Sequence, residues 1–60
     1  MKWIDTFYSV KAKKYFAVVI DLDSGESLHS TRGHETLIHA VGEAMEWCRK
    51  EDLAVEGWAA

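Results

Sequence analysis

The stretch Glu35–Glu51, ETLIHAVGEAMEWCRKE, constrains the fold more than any other part of the chain. Apolar residues at 37, 38, 41, 44, 45 and 48 recur with the rhythm of an amphipathic helix. On a helical wheel, Leu37, Ile38, Ala40, Val41, Ala44, Met45, Trp47 and Cys48 gather on one half. Glu35, His39, Gly42, Glu43, Glu46, Arg49 and Lys50 take the other. The apolar arc spans about 180°, against the roughly 100° that docks a helix on a single core. Gly33 is an acceptable N-cap, Glu35 complements the positive end of the helix dipole, and Arg49 and Lys50 suit the negative end. The pattern predicts a helix over 35–51, and that helix needs a sheet to cover.

The residues before it supply one. Residues 2–10, KWIDTFYSV, are rich in aromatic and β-branched side chains and predict a strand. Neither of its faces is wholly polar, so alternation does not decide which side is buried. Lys11-Ala12-Lys13-Lys14 reads as a turn, although it lacks the Gly, Asn or Asp that a tight hairpin favours. Residues 15–22, YFAVVIDL, form the strongest strand, with Phe16, Val18, Ile20 and Leu22 expected to face the helix. Its reverse face, Tyr15, Ala17, Val19 and Asp21, is still largely apolar, which suits a central strand covered on both sides. Asp23-Ser24-Gly25 supplies turn chemistry. Residues 26–31 predict a third strand, and 53–59, after the helix, a short edge strand. The expected fold class is α+β: a small, mainly antiparallel sheet of three or four strands in the order β-β-β-α-β, with one helix on one face, as a single domain over 1–60.

Sixty residues bury a small core. A domain of this size hides only about 60% of its unfolded surface, and small scaffolds are usually supported by disulfides, a metal or oligomerisation. One cysteine, Cys48, precludes an internal disulfide, and no Cys/His set has zinc-like spacing. A homodimer, or a chain resting on a larger protein partner, is the expectation that remains; no cofactor and no metal are expected. The formal charge of −3 weighs against nucleic acid as a partner, because phosphate binding needs clustered Lys and Arg. No apolar run approaches the ~20 residues that span a bilayer, so no membrane partner is expected. A free thiol and the absence of an apolar leader in MKWIDTFY predict a cytoplasmic protein.

Several motifs invite chemistry. AVVIDLDSGESL, 17–28, superficially resembles the first motif of the haloacid dehalogenase superfamily, which implies Asp21 as a nucleophile and Asp23 as an acid/base. That motif places Gly-Thr directly after the second Asp, whereas Ser24 intervenes here, and it needs a downstream Lys and further acids. A strand end followed by a turn is the favoured reading of Asp21 and Asp23. An EF-hand reading fails as well, since Gly25 is fifth counting from Asp21 and position twelve is Arg32. His29, His34 and His39 recur every five residues, but i, i+5 places two helical side chains about 140° apart. Cys48 lies within the apolar arc as a small buried hydrophobe.

Three tryptophans in so short a chain exceed what its core needs. Tryptophan is enriched at binding hot spots, where a broad apolar body and one N–H donor are both used. Trp47, Trp3 and Trp58 are therefore the expected partner-binding anchors, with Asp21, Asp23, Glu26, Glu43 and Glu46 as complementary charge.

From Gly33 onward, GHETLIHAVGEAMEW resembles the start of the helix in HicB-like antitoxins, with Thr36-Leu37, Ala40-Val41 and Ala44-Met45 in the family's cycle. The resemblance covers about half the chain and implies a partial ribonuclease H-like fold ordered β-β-β-α-β. The family's Pro-Asp-Leu-Pro-Gly stretch is replaced by ESLHSTR. Together these features predict a non-enzymatic protein-binding module, an inhibitor or neutraliser of a partner such as a host nuclease met by a phage protein. The alternative is a nucleic-acid-binding protein using the sheet and the basic turn through Tyr8, Lys11, Lys13, Lys14 and Tyr15. A metal-dependent hydrolase built on Asp21 and Asp23 ranks below both.

Overall fold

The computed structural model describes residues 1–58 and contains four strands and one helix. Strands β1 (Lys2–Ser9) and β2 (Lys14–Asp21) form an antiparallel hairpin, and β3 (Glu26–Ser30) pairs antiparallel with β2. Helix α1 (Leu37–Lys50) crosses back over the sheet, and β4 (Gly57–Trp58) adds parallel to β1. The sheet order is β3-β2-β1-β4, a small α+β fold with one helix packed on a mixed sheet. Of the expected last strand, only Gly57 and Trp58 are strand, and residue 59 lies outside the described residues.

The helix packs on the face opposite to the one expected. Ala17 and Val19 on β2 and Ile4 on β1 are fully buried against Ala40, Ala44 and Cys48. Tyr15, Leu28, Trp47, Leu53 and Val55 close the margins of this core. Phe16, Val18 and Ile20 point the other way, and Leu22 lies in the turn after β2, largely exposed. The reason is size. Both faces of β2 are apolar, so hydrophobicity alone is indifferent. A helix presenting alanines approaches most closely over small residues, and dense contact is what stabilises a core.

Local chemistry sets the boundaries. Thr36, not Gly33, is the N-cap: its backbone is extended and its Oγ1 accepts from the His39 amide, satisfying one orphan donor of the first turn. Glu35 therefore precedes the helix and instead pairs with Lys14. At the other end, the Asp52 amide donates to the Arg49 carbonyl and the Leu53 amide to the Cys48 carbonyl. This is the double bond of a Schellman stop, and Leu53 then folds onto the core. Asp52 takes the left-handed conformation such a stop requires, at φ 57°. The β1–β2 turn likewise forces Lys13 to φ 57°, the cost of a loop without glycine. In the β2–β3 turn Gly25 meets the same demand freely, at φ 78°.

Between Val19 and Ile20 the β2–β3 register shifts, because Val19 pairs with His29 and Ile20 with Ser27, leaving Leu28 as the extra residue. Beyond β3 the chain stays beside β2. Thr31 is buried: its amide donates to the Ala17 carbonyl and its Oγ1 accepts from the Ala17 amide. His34 then exchanges both backbone bonds with Tyr15. A side-chain oxygen thus stands in for a ladder carbonyl where the strand is irregular, so no donor is stranded.

The helix stop yields a quantitative expectation. Asp52→Gly removes the side-chain penalty of a left-handed residue and should raise unfolding stability by about 0.5–1 kcal/mol. Urea titration followed by circular dichroism measures it, and an unchanged or lowered midpoint would contradict the assignment of this stop.

Candidate functional site

With one helix on one side, the second face of the sheet is left uncovered by the described residues. Its composition follows from alternation along the hairpin. Register places Trp3 opposite Ile20, Asp5 opposite Val18, Phe7 opposite Phe16 and Ser9 opposite Lys14. The Phe7 and Phe16 rings stack at 5.2 Å between centroids and 12° between planes, and Phe7 remains 51% exposed. Trp3, Phe16, Val18 and Ile20 are half-buried, chiefly shielding one another at the level of the sheet.

Two glycines flatten the face at opposite corners. A Cβ on Gly57 would lie 2.9 Å from Trp3 Cζ3, so the indole spreads over β4. A Cβ on Gly33 would lie 2.8 Å from Lys14 Cβ and 3.1 Å from Phe16 Cζ, so the Phe16 ring reaches over the segment that extends β3. The aromatic surface therefore runs diagonally across the sheet.

Charge is sparse on it. Lys14 is paired with Glu35. Asp5 accepts from the Thr6 amide, which lies next to it on β1, through Oδ1 at 3.0 Å.

The residues expected from sequence divide among several places. Trp3 lies on the uncovered face. Trp47 lies on the helix flank above β3, its ring stacked on His29 at 4.6 Å and 2°. Trp58 sits at the β4 edge, 37% exposed. Asp21 and Asp23 make the β2–β3 turn, and Glu26 opens β3. Asp21 Oδ1 accepts from the Asp23 amide, and Lys2 and the N-terminal ammonium lie within ion-pair distance. The Asp23 amide, with help from those two cations, holds the Asp21 carboxyl below its ordinary value.

Glu43 and Glu46 face an open depression of about 480 Å³, bordered also by His29, Arg32, Trp47 and Lys50. Glu43 there ties the helix to the segment after β3, accepting from His34 Nε2 and from the Arg32 amide. Burial opposes ionisation of this carboxyl, but the bonds from His34 and Arg32 outweigh it and set its pKa below the usual value of 4.5. The Cys48 thiol is buried in the core, and desolvation raises its pKa.

For the nucleic-acid alternative, Tyr8 and Tyr15 lie on the helix side, ring centroids 4.9 Å apart, and do not line the uncovered face. Lys11 and Lys13 are exposed in the β1–β2 turn. Among the described residues, no group of three His, Cys, Asp or Glu side chains is placed to hold a metal ion, and no helix is long and apolar enough to cross a membrane.

Sequence reasoning missed Phe7, Phe16, Val18 and Ile20 as surface residues. The signal was present: both central strands are apolar on both faces, yet the chain carries one helix to cover them. No family model, no curated protein and no solved structure matches this chain.

The Glu43 joint gives a pH dependence. Because its folded pKa is lowered, Glu43 contributes stability that is full above the unfolded value of 4.5 and is lost as pH falls through the folded value. Glu43→Gln should therefore be less stable than the parent at pH 7, with the gap closing as pH drops below 4.5. A gap that stays constant from pH 7 to pH 3 would show that the carboxylate's charge is not what the joint uses.

Proposed function

We propose that this chain is a protein-docking module that works through the uncovered face of its sheet. The observation that carries this reading is the aromatic and aliphatic surface of Trp3, Phe7, Phe16, Val18 and Ile20 on the side away from the helix. A contiguous apolar patch left in water is costly and marks an interaction site, and aromatic residues dominate the energy of such contacts. The face is backed by the β1–β2 hairpin, and its apolar side chains surround one exposed carboxylate, Asp5, opposite Val18. The inhibitory role expected from sequence is the form we attach to it, with the face occluding a partner's working surface. The order β-β-β-α-β, implied also by the HicB-like resemblance, is in keeping with that role. Trp47 with Glu43 and Glu46 offers a secondary contact on the opposite flank.

Photo-crosslinking in the native host tests the reading. Benzoylphenylalanine at position 7 lies on the face, while the same probe in place of Glu51 at the exposed helix end serves as control. A discrete protein adduct from position 7 alone is expected. Equal labelling from both positions, or none from position 7, would sink the docking assignment.

A further inference from the structure

We infer that the uncovered face takes a single segment of a partner protein, apolar except for one arginine that pairs with the Asp5 carboxylate. This rests on the docking assignment above and adds the chemistry of the partner to it.

Asp5 selects the occupant. Alternation along β1 places it on the face between Trp3 and Phe7, and register sets it opposite Val18. It is exposed, and its Oδ1 accepts from the Thr6 amide at 3.0 Å. Among the described residues no cation lies within ion-pair distance of it. Lys14, the base that alternation puts on this side of the hairpin, stands opposite Ser9, about 13 Å further along. It is itself paired with Glu35.

A partner that covers the face takes water away from this carboxylate. Against a purely apolar surface Asp5 would be left desolvated and unpaired, a cost that erodes the gain from the contacts around it. A nucleic acid would meet it with like charge. A cationic side chain at this point removes the penalty and makes a charge-assisted bond in its place.

The neighbours favour arginine over lysine. A flat guanidinium can pair with a carboxylate along one edge while its face lies on an aromatic ring, and it is the more weakly hydrated cation. Trp3 and Phe7 flank Asp5 at about 7 Å on either side along the strand, a spacing that brings their rings close to a cation held at the carboxylate. Phe7 stays 51% exposed although its ring stacks on Phe16, so ring surface is open to such a contact.

The shape of the patch limits the partner to one segment. Ser30 stands opposite Val18 and Ser27 opposite Ile20, so the face turns polar at β3, and β4 adds only two residues. What remains apolar is the width of the β1–β2 hairpin, about 10 Å, along strands about 26 Å long. A strip of that width accepts one helix or one extended segment laid along it.

Selection of random linear peptides on the immobilised chain tests this. Peptides retained by the parent and lost on Phe7→Ala are the face-dependent set. They should be enriched in arginine flanked by apolar residues. The same selection on Asp5→Asn, which keeps an oxygen for the Thr6 amide, should lose that enrichment. In a selected peptide, exchange of arginine for citrulline keeps the shape and removes the charge. It should weaken binding to the parent about tenfold or more and make no difference on Asp5→Asn. The citrulline comparison is made on the parent and so stands whether or not a variant folds. Face-dependent peptides without arginine, or peptides whose citrulline forms bind the parent equally, overturn the inference and leave the docking face intact. No face-dependent peptide at all overturns both.

Discussion

The structure depends on the close seating of an alanine-bearing helix over Ala17 and the aliphatic residues beside it. Ala40, Ala44 and Cys48 meet Ala17, Val19 and Ile4 with no accessible surface left at most of these positions. Small side chains on both partners let the backbones approach, and the gain is dispersion contact and excluded water rather than the burial of a few large groups. Phe7, Phe16, Val18, Ile20 and Trp3 are carried by strand alternation to the opposite face, where no described element covers them. Tight packing on one side is thus the cause of the apolar surface on the other.

Polar joints hold this asymmetry in place. Thr31 fills a gap in the β2 ladder with its own hydroxyl, and Glu43 clips the helix to the segment that carries His34 and Arg32. Both fix the β3 edge against the helix without touching the open face. Asp5 serves the other side of the hairpin by capping the amide of Thr6, a device that blunts a strand edge against unwanted pairing. The glycines at 33 and 57 let Phe16 and Trp3 lie flat across the sheet, which turns separate side chains into one continuous surface.

Much of the fold was legible in the chain. The three-residue and four-residue spacing of apolar positions from Leu37 to Cys48 located the helix, and the run from Tyr15 to Asp21 located the central strand. The site was less legible. Sequence pointed to tryptophans and acids, yet Trp3, Trp47 and Trp58 lie on a face, a flank and an edge. Phe16 reads as a core residue and alternation leaves the side of Phe7 open, because an apolar strand residue has the same local signature whether or not a layer covers it.

What the sequence determined by itself is the kind and order of elements, since 3.6-residue and two-residue periodicities are local properties of the backbone. It also determined that the chain has more apolar strand surface than one helix can cover. Which face received the helix was decided only in three dimensions, where Ala17 packs with Ala40 and Ala44 and the larger Phe16 takes the other side. Periodicity marks two faces and weighs their hydrophobicity; closeness of approach is a property of the pair, and exists only once the helix and sheet are brought together.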